Sequence, residues 1–451
     1  MPEAVIVAAS RTPIGRAGKG SLADVRPDDL LAFAIDDVLN KTPAVPRVDV
    51  VDVMVGCGFP QEKQGMNLGR RAALLAGLPD TVPGTTVNRF CASSLQTIRM
   101  AFHAIRAGEG DCFVAAGVES ISQVSGYPKS TEELHPKLFG DDAEIANVYI
   151  PMGLTAENVA ERWDVSREDM DAFAQRSQER AVAAQASGFS ERELTPYPKD
   201  DGTVVSADDG PRPSSTLEKL AELEPAFLPG GKVTAGNACP LNDGAAAVLV
   251  MSDTRAAELG LEPRARIIAS SVSGVAPEIM GVGPIEAVRR VLARAGMTIE
   301  DVEVMELNEA FAAQVLPVCR ELGVDPFGDK LNPHGGAIAL GHPYGMTGAR
   351  IMNTLLNDLE TLDRTIGLET MCVGGGQGMA MLVERLSRGR RGKSPGRVGT
   401  NWVNAAARSR GGPHPTKGLS DDVDPTPASA RPRDGDCRLD RRNRPRALRR
   451  R

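Results

Sequence analysis

Apolar and polar positions change period along this chain in a regular order. Residues 4–10 (AVIVAAS) form a short continuous apolar run that ends at turn-forming residues, the pattern of a buried strand. Over residues 28–40, Leu30, Leu31, Phe33, Ala34 and Val38 fall mostly on one face at helical spacing, which predicts a helix. VDVMVGC (51–57) reads as a second strand, and residues 67–77 as a helix closed by Gly77. TTVNRF (85–90) reads as a strand running into Cys91. Leu95, Ile98, Phe102 and Ile105 give the next helix its apolar stripe, and Gly108 ends it. DCFVAAG (111–117) is another buried strand. Strands alternating with helices imply parallel βαβ units covered by helices, an α/β class.

The same order returns later in the chain. ARIIASSVSG (265–274) predicts a strand, residues 285–296 a helix, DVEVMEL (301–307) a strand and residues 309–322 a helix. After a glycine-rich loop, residues 347–358 are helical, and TIGLETMCV (365–373) and GMAMLVE (378–384) read as two closing strands. The two halves repeat one βα pattern in order, not residue by residue. Between them, residues 121–245 lack simple alternation. They hold a helical stretch (154–186) among polar, Pro-rich connections and read as an excursion laid over the core, where binding residues often sit. The expected organisation is an N-terminal half over 1–268 that carries the insertion, a C-terminal half over 269–387, and a tail over 388–451.

Composition changes the picture mainly for the tail. The 451 residues carry a formal charge of −7, but residues 388–451 hold 18 Lys/Arg against 6 Asp/Glu. The tail is therefore about +12 and the rest about −19. Rich in Arg, Pro, Gly and Asp and without apolar periodicity, it is expected to be disordered. It reads as a solvated extension, as a reading frame that runs past the natural end, or as a segment for an acidic partner. The acidic body does not suggest nucleic-acid binding. No run of about 18 apolar residues predicts a membrane span, and the N-terminal order of charges does not read as an export signal. The seven cysteines, Cys57, Cys91, Cys112, Cys239, Cys319, Cys372 and Cys437, are scattered without a CxxC pair. That argues against a disulfide framework and a structural zinc site, and for a reducing cytoplasmic setting.

Four blocks carry candidate chemistry. In VNRFCASSLQ, Cys91 sits where a strand meets a helix; amides at a helix start favour a thiolate, and Ala92, Ser93 and Ser94 leave room for a substrate. A buried inert cysteine is the alternative reading. NPHGGAIALGHPYGMTGAR (332–350) presents His334 and His342 in a glycine-rich loop, and an imidazole beside a thiol serves as its base. In ETMCVGGGQGMAM (369–381), Cys372 ends a strand, and the free amides of the glycines that follow suit an oxyanion. In ELNEAFAAQ (306–314), Asn308 ends a strand, placed to hold a water or a carbonyl oxygen.

Together, and with MGLTAENVAERW (152–163) and GKVTAGNACPLNDGAAAV (231–248), these blocks resemble the thiolase family of acetyl-CoA C-acyltransferases over roughly residues 1–387. The resemblance implies a thiolase-like α/β fold: two similar βα halves with mostly parallel sheets sharing a helical layer, plus the inserted loop domain. It implies Cys91 as the nucleophile that carries the acyl group, His342 as its base and Cys372 as a second acid/base. A water held by Asn308 would form one oxyanion site with His342, and the amides of Cys91 and Gly374 the other. His334 matches no required histidine and is expected to be structural. Arg212 would lie near the adenine end of coenzyme A, and Met152, Phe227, Ala235, Cys239 and Phe311 would line the pantetheine tunnel; core packing is the competing reading for each apolar member.

Coenzyme A enters as a substrate, with no resident cofactor or metal, and the family implies a homodimer or homotetramer acting on small-molecule acyl-CoA. Two departures bear on specificity. Many members carry Ser where this chain has Cys239, and short-chain biosynthetic members carry His where it has Pro151. The second favours a degradative enzyme with longer or bulkier acyl groups over a biosynthetic acetoacetyl-CoA thiolase. The wording of several blocks is also similar to actinobacterial thiolases used on steroid side chains. A decarboxylating ketoacyl synthase is disfavoured by Cys372 before three glycines, and a non-catalytic acyl-CoA-binding protein by the presence of all four reactive residues. Acyl chain length and physiological direction are not written in the sequence.

Overall fold

The computed structural model describes residues 1–124, 130–140 and 143–386. The tail 388–451 lies outside the described residues. From one edge to the other, the main sheet runs Val304–Leu307, Ile366–Val373, Gln377–Arg385, Ala265–Gly274, Ala4–Arg11, Asn242–Ser252, Cys112–Ser120, Asp52–Gly56 and Gly84–Val87. A short strand, Gly15–Arg16, pairs beside Asn242–Ser252.

The repeat expected from the sequence is present in the pairing. Within the N-terminal half, Asp52–Gly56 runs parallel to both Gly84–Val87 and Cys112–Ser120. Asn242–Ser252 runs antiparallel between Cys112–Ser120 and Ala4–Arg11, so those two point the same way as the rest. In the C-terminal half, Val304–Leu307 is parallel to Ile366–Val373, and Gln377–Arg385 lies antiparallel between Ile366–Val373 and Ala265–Gly274. Each half is thus a sheet of one prevailing direction with a single reversed strand. The halves join edge to edge where Val5 and Ile6 pair with Arg266 and Ala265.

Alternation along the strands sends side chains to two faces. On one face, the helices Ser93–Ala107 and Thr347–Thr361, one from each half, share a core: Leu95, Ile98 and Ile105 pack with Ile351, Met352, Leu355 and Leu359 over Ile6, Val248 and Met381. This is the shared helical layer. Gly348 permits it, because a Cβ there would collide with the backbone of Leu95. On the other face, the helix Pro27–Asn40 covers the N-terminal half through Leu30, Leu31, Ile35 and Val38. Gly283–Ala295 covers the C-terminal half through Val288, Val291 and Leu292. No helix among the described residues is long and apolar enough to cross a membrane.

Three local expectations change. The stretch 154–186 is two helices, Met152–Arg162 and Arg167–Ala186, broken at Asp164 (φ +49°) and restarted by Ser166, whose Oγ accepts from Asp169 N at 3.0 Å. The strand before Cys91 stops at Val87, and a tight turn, Phe90–Ala92, intervenes before the helix. Asn242–Ser252 is a fully buried strand inside the N-terminal sheet, between Ala4–Arg11 and Cys112–Ser120, where no strand was expected. Its Ala-rich start has weak strand propensity, and burial between two partners overrides that preference.

Candidate active site

The turn that presents Cys91 is strained and heavily fixed. Phe90 has φ +42°, rare for a bulky residue. Its N–H donates to Asn88 Oδ1 at 2.8 Å, its carbonyl accepts from Ser93 Oγ at 2.7 Å, and Ser93 Oγ in turn accepts from Arg89 N at 2.9 Å. Arg89 is pinned by Gln96 Oε1 at 3.0 Å and by Gln377 Oε1, from the other half, at 2.7 Å. Such over-determined strain is typical of positions where a side chain must be aimed. The result is that Cys91, only 6% exposed, meets the amide of Gly374 in the glycine turn of the C-terminal half. Burial pushes its thiol up to about 12, against two amides that favour the thiolate, those of Gly374 and of Cys91 itself.

Cys372 ends the strand Ile366–Val373, and the turn after it requires glycine. Gly375 and Gly376 have φ of +75° and +83°, and a Cβ on Gly376 would strike the carbonyl of Val275. The Cys372 thiol donates to Gln314 Oε1 at 3.4 Å. Burial pushes it well up, and the neighbouring sulfurs of Cys91 and Cys239 add to the shift. Cys239 is raised in turn, by burial first and then by Cys91. Three thiols thus share one electrostatic neighbourhood. Asn308, Gln314 and Cys372 line one small cavity.

His342 is 1% exposed, and its environment fixes its tautomer. Thr347 Oγ donates to Pro343 O at 2.8 Å, which leaves its oxygen to accept from His342 Nδ1 at 2.7 Å. The ring proton therefore sits on Nδ1, an assignment that follows from the hydrogen-bond network. Nε2 is left as the acceptor, and Asn308 Nδ2 donates to it at 3.4 Å. Burial, helped by the charge of Arg350, lowers the imidazole to about 3, so it is neutral at neutral pH. The His342 amide donates to Asn242 Oδ1 at 2.9 Å, and Tyr344 meets the ring edge-on with centroids 5.0 Å apart. Asn308 Oδ1 is buried without a protein partner, which leaves it for a donor brought by water or substrate.

Cys91, Cys372 with Gly374, Asn308 and His342 therefore come from four separate stretches and meet in one region. His334 does not join them: it stacks on Phe189 with ring centroids 3.6 Å apart and bonds Asp358 at 2.5 Å. Several positions were missed in the sequence. Thr347 and Asn242 orient His342, and Gln314 holds Cys372. The buried Glu119 accepts from the amides of Gly58 (2.8 Å), Phe59 (3.2 Å) and Gly345 (2.9 Å) and from Gln64 Nε2 (2.6 Å), tying loop 57–64 to the loop after His342. Its only sequence signal was a lone acid ending an apolar strand.

Among the residues expected to meet coenzyme A, Phe227 and Phe311 touch edge-to-face at 5.9 Å. Phe227 also lies against Gly153, beside Met152 at the start of its helix. Ala238 bridges to Phe311, and Cys239 N donates to Ala310 O at 3.0 Å, so this segment lines up with the end of the Asn308 block. Ala235 is exposed on the same segment. Arg212 donates its amide to Gln178 Oε1 at 2.7 Å; burial lowers its guanidinium, and the nearby positive charge of Arg16 adds to that. Two like charges held close favour an anion between them.

The chain was compared with known proteins. The family model described as Thiolase, N-terminal domain matches residues 4–254, and Thiolase, C-terminal domain matches residues 261–385. A Beta-ketoadipyl-CoA thiolase of Acinetobacter baylyi is 45% identical over 410 residues, covering 86% of this chain and all of that protein. A 3-ketoacyl-CoA thiolase of Bacillus subtilis is 44% identical over 396 residues, covering 85% of this chain and all of that protein. The crystal structure of the Bacillus anthracis acetyl-CoA acetyltransferase superposes with a TM-score of 0.78 at 40% identity, covering 86% of this chain and 99% of that one.

Proposed function

The chain belongs to the thiolase family, and on that premise we propose how its own residues divide the work. The enzyme is an acyltransferase that moves an acyl group between a 3-ketoacyl-CoA and coenzyme A, which is a substrate; no cofactor is permanently bound. In the proposed mechanism, the Cys91 sulfur attacks the ketone carbon as its proton passes to His342 Nε2. The bond between the ketone carbon and the neighbouring CH2 breaks, leaving the acyl group on Cys91 as a thioester and acetyl-CoA as an enolate. Cys372 gives that enolate its proton. Coenzyme A enters, Cys372 takes back a proton from its thiol, and the resulting thiolate takes the acyl group from Cys91, whose departing sulfur takes back the proton held on His342 Nε2. Run in reverse, the sequence is a Claisen condensation.

The observation that carries this reading is the meeting of the Cys91 sulfur with the Gly374 amide beside a second buried thiol. Supporting it, the unprotonated Nε2 of His342 accepts only the long hydrogen bond from Asn308 Nδ2 among the described residues. The directions of the shifts add a constraint. With Cys91 pushed up to about 12 and His342 down to about 3, the resting pair is thiol and neutral imidazole, not an ion pair. Proton transfer is therefore coupled to the arrival of substrate, whose developing oxyanion the amides of Cys91 and Gly374 stabilise. For the second oxyanion, the proposed donors are a water held by Asn308 and, once it carries the proton from Cys91, His342 Nε2. Met152, Phe227, Ala235, Cys239 and Phe311 are assigned to the pantetheine, and Arg212 to the phosphate-bearing end.

On the finer points, Pro151 supports the degradative direction with a longer or bulkier acyl group, and the wording of several sequence blocks supports a steroid side chain. We assign the enzyme to the cytoplasm as a homodimer or homotetramer, with the half-open edge strand Gly84–Val87 as a pairing surface. The domain boundary is placed near 268, and the tail from 388 outside the catalytic body. A panel of 3-ketoacyl-CoA substrates assayed for thiolysis tests the reading: straight-chain, 3-oxoadipyl and steroid side-chain thioesters. Turnover is expected with at least one, fastest with a bulky apolar acyl group. Preference for acetoacetyl-CoA would overturn the degradative assignment, and no turnover with any would overturn the function.

A further inference from the structure

Behind the reactive residues lies a set of buried charges that the mechanism does not use. Glu306 and Glu369 stand directly side by side in the parallel ladder between Val304–Leu307 and Ile366–Val373, and both are at most 1% exposed. Alternation sends them to the shared helical layer, the face that Met371 and Met381 also take. Across from them, Arg350 on the helix Thr347–Thr361 is 1% exposed. Its guanidinium feels the charges of Glu306, Glu193, Glu369 and Arg11, yet Nε, Nη1 and Nη2 have no hydrogen-bond partner in the protein. Both carboxylate oxygens of Glu369, Oε1 of Glu306 and Oε1 of Glu193 are likewise buried and unpartnered. Of the remaining neighbours, Arg11 bonds Glu193 and Asp208, and Asp358 faces His334 through Oδ1 and the Glu306 carboxyl, while its Oδ2 is also buried and unpartnered.

A guanidinium stays charged in a protein, and a buried charge without partners is strongly unfavourable. Attraction at a spacing too long for a direct bond is the geometry that bridging water satisfies. The eight unpartnered atoms, three of Arg350, two of Glu369 and one each of Glu306, Glu193 and Asp358, match what about three waters supply at 2–4 hydrogen bonds each. We infer that Arg350, Glu306, Glu369 and Glu193 close around a small permanent water cluster, and that this hydrated charge cluster positions Asn308 and Cys372 for carbon–carbon cleavage. Glu306 lies two residues before Asn308, and Glu369 three before Cys372. Arg350 lies one helical turn after Thr347, which holds His342. The cluster thus binds together, from behind, the three segments whose ends carry the chemistry. Methionines would fill the layer as Met371 and Met381 do next to it, but would fix no register across it.

The functional half rests on the thiolase reading; the structural half does not. A crystal structure of the full-length protein that resolves ordered solvent is expected to show at least two waters bridging Arg350 to Glu306 or Glu369. A direct Arg350–carboxylate pair, an ion in the space, or a dry gap would overturn the cluster. For function, Glu369→Gln keeps the shape and removes the ionisable carboxyl, which burial pushes well up and the charge of Arg350 pulls back down. It should lower kcat for cleavage of a 3-ketoacyl-CoA roughly ten-fold with KM within about two-fold, while acylation of Cys91 by a simple acyl-CoA stays within about two-fold. Equal loss of both steps, or no loss, overturns the positioning role. Arg350→Lys should retain more cleavage activity than Arg350→Met, and equal activities count against the role; should Arg350→Met fail to fold, Glu369→Gln decides alone. The wild type is assayed in parallel: its inactivity on all substrates would sink the thiolase reading, whereas an active wild type with an unchanged Glu369→Gln would sink only this inference.

Discussion

In the N-terminal half the inner helix Ser93–Ala107 begins just after Cys91; in the C-terminal half its counterpart Thr347–Thr361 begins just after His342. The strands beside them also correspond: Cys112–Ser120 ends with Glu119 and Ser120, and Ile366–Val373 ends with Cys372 and Val373. One sheet pattern, used twice, thus offers two equivalent sockets at each position. They are filled differently. One helix start carries a thiol and the other an imidazole, while one strand end carries a carboxyl that fastens loops and the other a second thiol. The repeat supplies the geometry, and the departures from the repeat supply the chemistry.

The largest expected effect comes from emptying the first socket. Cys91→Ser keeps the turn but replaces the sulfur with a far weaker nucleophile, so thiolysis should fall by about 10³-fold or more, read as kcat/KM in a coenzyme A-dependent assay. Full activity would refute the assignment. Cys372→Ala should separate the two thiols: cleavage of a 3-ketoacyl-CoA falls by about 10²-fold, while acylation from a simple acyl-CoA persists. Equal loss of both steps would mean that the two sulfurs do not divide the work. Thr347→Val removes the acceptor that keeps the proton on His342 Nδ1. With the tautomer released, kcat should fall about ten-fold with little change in KM.

The imidazole also leaves a mark on stability. Its folded pKa, about 3, lies below the ordinary value of 6.5. The unfolded chain therefore binds a proton that the folded one refuses as pH falls below 6.5, and stability declines through that window toward pH 3 at up to about 1.4 kcal/mol per pH unit from this group. His342→Gln should flatten the acid limb of a urea-midpoint-against-pH curve; an unchanged limb would contradict the buried neutral ring. The smallest effect is expected beyond the repeat: removing residues 388–451 should leave thiolysis within about two-fold, since the tail lies outside both halves.

Much of this arrangement was legible in the sequence wherever a segment repeated a period or a motif. The helices around Leu30 and Leu95 and the strands at 4–10 and 365–373 announced themselves by spacing, and Cys91, His342, Cys372 and Asn308 by their motifs. The rest depended on contacts between distant segments. The strand Asn242–Ser252 was hidden because alanines say little until two partners bury them. Thr347 and Asn242 act on His342 through hydrogen bonds that no spacing encodes. Gln314 lay inside a recognised block, but its role emerges only when its helix meets Cys372. The side-by-side placement of Glu306 and Glu369 is a matter of strand register, which is set by the pairing of strands about sixty residues apart.

The most direct test is the mass of the protein itself. Mixed with a turned-over 3-ketoacyl-CoA in the absence of free coenzyme A, the intact chain should gain one acyl group. Peptide mapping should find it on Cys91, and added coenzyme A should discharge it. An adduct on Cys372 or Cys239 instead, or turnover with no thioester on any cysteine, would contradict the account.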